Sequence, residues 1–429
     1  MSSDASAAEV ETKSDIGPRQ SSFSGWRIVV LLVVAVVLAT RRLTLLLSPA
    51  AWAEDLSVIF PAAMRLGPAS LIEPFNAYHI TLLRMIGYAA SWLPVDWTQE
   101  VYVYMSLAVT MAVAAAVLSL RLGLPWWANA GFALAIVLVP HGGEIWLNLK
   151  NTQWFTALLL VAIPLARPPR TAAARVGWGG VFALAALTGP FVVFFLPVVL
   201  IGIWRADDRP WRWTLVVISL ASAALHVSAA LGGDRMSEIS KPGSLDNEAL
   251  YALVKTVYAY LGGFFHAPPD VAWMMPLALA GWLVLAWLTL RGVPAVWRGE
   301  TVDRDPSHAR HQWVCLLVAA ACAWAMGAYA GIWTLRYSFF FRPLGVADAN
   351  GGPRYAYLPY VITLWLLIWA SARVASPRIR RVAALIAVFV MAGVFCFGRY
   401  AAVTPHHDSE LPTITKRLER DATPLAAEK

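Results

Sequence analysis

The sequence predicts an all-α fold: a polytopic transmembrane helical bundle of about eleven spans, with juxtamembrane helices on its outer face. Two observations carry that reading. Of the 429 residues, 59% are hydrophobic and only 14% are charged, where a soluble domain carries about 25% charge. Apolar runs suited to membrane-crossing helices also recur along the chain, separated by short connections rich in arginine.

The first run, Ile28 to Leu47, reaches about 30 Å as a helix, enough for one crossing. The others are Val101–Leu120, Trp126–Val139, Trp154–Ala166, Val176–Leu187, Phe191–Trp204, Trp213–Leu231, Val271–Leu290, Trp313–Trp333, Tyr355–Ala372 and Val382–Phe397. Trp126, Trp127, Trp211 and Trp213 mark run ends, as interfacial aromatics do. Residues 1–25 are polar, mixed in charge and unlike a secretory signal, and read as a disordered cytoplasmic tail. Residues 26–400 form the transmembrane domain and residues 401–429 a polar C-terminal tail. Cys315, Cys322 and Cys396 lie inside apolar runs without zinc-finger spacing, so they read as small core residues. The net charge of +8 fits basic cytoplasmic loops, and no nucleic-acid partner is expected.

Loop charge sets the orientation. Arg167, Arg170 and Arg175 share one connection, and Arg205, Arg209 and Arg212 a second. Arg291, Arg298, Arg304 and Arg310 mark a third, and Arg373, Arg378, Arg380 and Arg381 a fourth. All four should be cytoplasmic, with an even number of crossings between neighbours. Val176–Trp204 then becomes a hairpin turning at Thr188-Gly189-Pro190, a strong breaker. Arg121 closes its span on the same side, so Tyr78–Leu93 cannot be a full crossing and should lie on the outer face. Tyr251–His266 receives the same assignment. The outer side carries Pro49–Glu100, Pro140–Gln153, Gly232–Asp270, Thr334–Arg354 and the C-terminal tail.

The chemistry-bearing stretch follows the first span, where Glu54 and Asp55 stand together. Ser57 can cap a short helix, and Leu56, Ile59, Phe60, Ala63 and Leu66 give it one apolar face, with Pro61 in its first turns or at a kink. An acid pair so placed can face a water-filled cleft beside lipid. Outer loops tend to be poor in cations, so Arg84, Lys150, Arg336, Arg342 and Arg354 are candidates to bind an anion, with His79 beside them. Each is also compatible with snorkelling to headgroups. His406-His407 lacks the further ligands a metal needs. The chain carries no Walker loop, Rossmann fingerprint, zincin motif or Gly-x-Ser-x-Gly.

Trp52-Ala53-Glu54-Asp55 resembles the acidic motif of the GT-C membrane glycosyltransferases, and more narrowly that of a bacterial group of polytopic members. In that group a glycine follows the acid pair and an aromatic stands a few residues on; here Leu56 replaces the glycine and Phe60 supplies the aromatic. Pro74-Phe75-Asn76-Ala77-Tyr78, Asn151-Thr152-Gln153-Trp154, Thr188-Gly189-Pro190 and Pro353-Arg354-Tyr355 follow in the group's order. The resemblance implies transfer of a hexosyl or pentosyl unit from a polyprenyl-phosphate-linked sugar donor to a lipid-linked or surface glycan acceptor, on the periplasmic face of a bacterial inner membrane. Asp55 would be the general base, with Glu54 as its partner, and the outcome inverting. The leaving phosphate would be clamped by members of the set His79, Arg84, Lys150, Arg336, Arg342 and Arg354. No cofactor is expected; the family has metal-free and metal-using branches, and no metal site is indicated. Three rivals stand beside it: a lipid-carrier flippase or transporter, an O-antigen-ligase-like transferase working from a later outer loop, and a non-catalytic membrane scaffold that has kept the fold and lost activity.

Overall fold

A computed structural model describes residues 25–51, 55–140, 145–204, 208–232, 261–266, 275–302, 305–336 and 354–396. Among the described residues every regular element is helical, and β-bridges occur only as isolated pairs. Five helices are long and apolar enough to cross a bilayer: Val95–Ser119, Arg209–Gly232, Pro276–Trp297, Pro306–Tyr329 and Arg354–Arg373. Thr152–Leu165, Ala172–Ala186 and Phe191–Ile201 are apolar but shorter. At 1.5 Å per residue, Ala172–Ala186 reaches only about 22 Å. Large apolar side chains such as Val217, Leu220, Leu283, Leu385 and Val388 are exposed on the outside of the bundle, as a lipid-facing surface requires.

Helix Arg354–Arg373 is the most enclosed of the five. It packs against Pro306–Arg336, Pro377–Cys396 and Trp126–Ala135, and Phe132 stacks on Trp365 with centroids 5.0 Å apart. Around it the described residues 120–140 and 145–166 are broken into short helices, which leaves carbonyls without helical partners. Side chains from other helices receive them. Trp365 Nε1 donates to Phe132 O at 2.8 Å, and Tyr357 Oη to Ile136 O at 2.9 Å. The Arg41 guanidinium donates to Val137 O and Val139 O and stacks 4.3 Å over the Trp146 ring. Gln312 Nε2 bridges Leu122 O and Leu165 O while its Oε1 accepts from Trp369 Nε1 at 3.0 Å. Arg212 donates to Pro164 O and Ala166 O, and Arg373 to Gly123 O.

The arginine-rich connections meet at one end of the bundle. Arg167 pairs with Asp305 at 3.6 Å, joining the first and third. Arg175 pairs with Asp208, joining the first and second. Thr301 bridges Val374, with Val302 N donating to Arg373 O at 3.0 Å, joining the third and fourth. Arg121 O accepts from Arg167 N at 3.0 Å, so the close of the Thr98–Ser119 helix belongs to the same end. Helices Ala172–Ala186 and Phe191–Ile201 are joined by a short turn with Gly189 at φ +99°, and each packs against Arg209–Gly232 and Leu159–Leu165.

The segment expected to lie along the surface, Tyr78–Leu93, is not among the helices long enough to cross. It holds the ten-residue helix Thr81–Ala90, about 15 Å long, packed across helix Phe60–Leu66. One local expectation is corrected. Ser57 caps nothing: residues 55–59 form a π-turn, Ser57 is exposed in it, and the following helix starts after Ile59 with no side-chain cap. The wider π-turn moves the first α-helical position past Ser57, which leaves Pro61 in the opening turn where its missing N–H costs nothing. Leu56, Ile59, Phe60 and Ala63 do form the buried face, with Leu66 half-buried. The two tails and residues 251–260 lie outside the described residues.

Replacing Gln312 with Leu strands two carbonyls and an indole N–H in an apolar interior. Unfolding in detergent should show a loss of roughly 2–4 kcal/mol; a loss below about 0.5 kcal/mol would contradict the capping role.

Candidate functional site

Asp55 opens the π-turn and is 1% exposed. Its Oδ1 accepts from the backbone N–H of Lys150 at 2.8 Å. A backbone donor fixes the carboxylate independently of the Lys150 side chain. The loop that presents this amide is itself buried. Trp146, Leu147, Asn148, Leu149, Lys150 and Asn151 are all at most 4% exposed. Leu147 adopts φ +54° to turn the chain inward, and Asn148 Oδ1 accepts from Asn151 N just before helix Thr152–Ala157 begins.

The Lys150 side chain runs to the other wall. Its Nζ lies 3.3 Å from the centroid of the Phe75 ring and 3.2 Å from Tyr78 Oη. Phe75 and Tyr78 flank a two-residue hairpin, bonded Phe75 N to Tyr78 O at 2.7 Å and Tyr78 N to Phe75 O at 3.0 Å. Both central residues are left-handed, Asn76 at φ +48° and Ala77 at φ +70°. Asparagine tolerates this region; alanine pays a steric cost of about 1–2 kcal/mol. Strain of this kind persists where surrounding contacts over-determine it. Here the tight turn aims two aromatic rings at one ammonium.

The remaining motif segments close around the same place. His79 O accepts from Gly189 N at 2.8 Å, Thr81 N donates to Leu187 O at 3.1 Å, and Leu82 N donates to Thr188 Oγ1 at 3.2 Å. A Cβ on Gly189 would stand 2.8 Å from Gln153 Oε1 and 2.7 Å from the Phe191 ring, so only glycine fits there. Trp154 meets Phe191 at 4.7 Å and Tyr355 at 5.6 Å between centroids, and the Arg354 guanidinium lies 5.3 Å over Tyr355. Five segments spread over 300 residues of sequence thus meet around Asp55 and Lys150.

The candidate cations separate into different environments. Lys150 bonds the acid through its backbone amide while its ammonium lies against Phe75 and Tyr78, and Arg354 reaches this assembly through Tyr355 and Trp154. Arg84 is 2% exposed and donates to Val58 O at 3.3 Å, so it braces the turn that carries Asp55. Burial pulls its guanidinium below the ordinary arginine value, against the nearby Glu73 and Tyr102. His79 is engaged through its backbone: its N–H donates to His226 Nδ1 at 3.1 Å, while His226 Nε2 faces Ala186 O at 2.9 Å. That pairing requires a neutral His226 with its proton on Nε2. Arg336 ends its helix, and Glu54 and Arg342 lie outside the described residues. Tyr102 was not legible as a site residue. It is buried within electrostatic reach of both Asp55 and Arg84, and its position inside an apolar run gave no signal. Phe75, Tyr78 and His226 were likewise without a readable role, because their partners are remote in sequence.

Two substitutions test the construction. Ala77→Gly should relieve the left-handed strain and, after the flexibility glycine adds to the unfolded chain, raise stability by up to about 1 kcal/mol. Gly189→Ala should lower it by more than about 2 kcal/mol. Thermal unfolding of both variants in detergent reads the two signs directly.

Searches of protein-family models, curated proteins and solved structures return no match to this chain.

Proposed function

We propose that the chain is an inverting membrane glycosyltransferase that uses a polyprenyl-phosphate-linked sugar. The observation that carries the proposal is the bond from the Lys150 amide to Asp55, with the Lys150 ammonium held by Phe75 and Tyr78 on the adjoining wall, at the end of the bundle opposite the arginine-rich loops. Helix Thr98–Ser119 measures that separation. Tyr102 lies near its Asp55 end and Ser119 at the basic end, about 25 Å apart along the axis, close to the thickness of a hydrocarbon core. Placing the basic end in the cytoplasm puts Asp55 at the periplasmic face of a bacterial inner membrane and the N-terminus in the cytoplasm. The full count of about eleven crossings then requires the shorter helices to cross as well.

In the reaction, Asp55 takes the proton of an acceptor hydroxyl as that oxygen bonds to the anomeric carbon of the sugar. The carbon–oxygen bond to phosphate breaks, and its electron pair leaves with the polyprenyl phosphate. Lys150 and Arg354 neutralise that leaving group, with Arg336 and Arg342 as further candidates, and Glu54 supports Asp55. Arg84 and His79 hold the turn and the backbone around the acid. A transporter reading is less well supported, because a carrier's binding site belongs near the bilayer midplane.

Lys150→Gln separates two roles, since it keeps the backbone amide on Asp55 and removes the ammonium. With membrane insertion confirmed, transfer from a polyprenyl-phosphate sugar should fall about 10²–10⁴-fold in Asp55→Asn and about 10²–10³-fold in Lys150→Gln. Full activity in both Asp55→Asn and Glu54→Gln would remove the assigned base. Lipid flipping without transfer would favour the transporter, and loss only on changing Arg or His in the later outer loops would favour the ligase-like rival.

A further inference from the structure

The basic end holds two adjoining cavities of about 160 and 350 Å³. Both are bounded by Ser119, Leu120, Arg121 and Arg167. Arg170 and Thr171 line the smaller, and Arg27 lines the larger. Four guanidinium groups therefore border the two adjoining parts of one recess, and among the described residues no carboxylate lines either part. Asp305 reaches Arg167 at 3.6 Å without lining the recess. Burial, followed by the like charges of Arg170 and Arg167, pulls the Arg121 guanidinium below its ordinary value.

Two further features have the same sign. Helix Ala172–Ala186 begins at the smaller cavity, where Thr171 and Ala174 form the wall, so its positive dipole end adds to the field. Thr171 Oγ1 accepts from Ala174 N at 3.2 Å, and its hydroxyl hydrogen can still be donated. Trp178 and Trp211 give the recess an aromatic side. The smaller cavity has room for several water molecules, at roughly 30 Å³ each in the liquid, which a phosphate group could replace.

A general preference for arginine near the cytoplasm explains cations at this end. It does not explain why four of them line one recess, with a helix start at the same wall.

We propose that this recess is a binding site for a phosphate group, held by Arg121 and Arg167 and flanked by Arg27 and Arg170. Guanidinium forks match phosphate oxygens bidentately. The phosphate comes either from an anionic lipid headgroup of the adjoining leaflet or from a soluble phosphate. The site is independent of the glycosyltransferase proposal, since it lies at the other end of helix Thr98–Ser119 from Asp55.

The test uses the full chain in phosphatidylcholine nanodiscs. Phosphatidylglycerol is added in one arm and inorganic phosphate in the other, at constant ionic strength, and binding is read by native mass spectrometry and thermal stabilisation. Saturable binding in either arm is expected, at least tenfold weaker in Arg121→Gln and Arg167→Gln and changed less than twofold in Arg298→Gln. Arg298 is an exposed arginine paired with Glu300 at the same end of the bundle. Saturation by phosphatidylglycerol alone identifies a headgroup, and saturation by inorganic phosphate a soluble ligand; either supports the site. Arg121 also holds Pro168 O at 3.2 Å. Arg170 is exposed and provides a variant safe for folding, with at least threefold weaker binding expected in Arg170→Gln. No saturable binding in either arm overturns the proposal, as does equal weakening in Arg298→Gln and Arg170→Gln, which would mean that only diffuse surface charge matters.

Discussion

The structure depends on one constraint: a broken backbone inside a bilayer must find its hydrogen-bond partners within the protein. Over residues 120–140 and 145–166 the chain does not run as long uninterrupted helices. Its orphan carbonyls are received by Arg41, Gln312, Tyr357, Trp365, Arg212 and Arg373, which come from both ends of the sequence. Each such bond is modest in net terms, but leaving its carbonyl unpaired in an apolar interior is expensive. The side-chain donors therefore permit a short, irregular, buried segment at the centre of the bundle. They also explain Arg41, an arginine at the end of an apolar run that has no reason to be there on hydropathy alone.

That permission is what makes the candidate site possible. The Lys150 amide can face Asp55 only because residues 145–151 leave helical geometry in a buried place, with Leu147 left-handed. The opposite wall repeats the device, since Asn76 and Ala77 are also left-handed. Three of the five non-glycine positive-φ residues among the described residues thus lie in the two loops that hold Lys150. Strain and polarity are concentrated together, as in a site whose geometry is set before anything binds.

The sequence made the large divisions readable because they follow from rules of side. Counting arginine-rich loops puts them at one end, and the structure joins those loops by Arg167–Asp305, Arg175–Asp208 and the Thr301–Val374 bridge. The same counting kept Tyr78–Leu93 out of the membrane-crossing set, and it holds only a ten-residue helix. What was not readable depends on contacts between distant positions. Trp365 and Phe132 are 233 residues apart, and no local pattern links them. Ser57 misled because a capping residue and a π-turn residue look alike until the hydrogen bonds are known. Helix count was obscured for a related reason: apolarity marks burial, and in this bundle much of the apolar surface faces protein rather than lipid.

The Ala172–Ile201 helix pair has a consequence for the surrounding lipid. Its first helix stops about 10 Å short of the length of Thr98–Ser119, yet it reaches from the Arg175–Asp208 pair to the His79 turn. Val176, Val181, Val193 and Leu200 are exposed along its outside. Acyl chains beside it must compress or tilt to match, at fractions of a kcal/mol per ångström. A bilayer that fitted this wall would be locally thinner than one that fitted Thr98–Ser119, so the two sides of the bundle place different demands on the lipid around them.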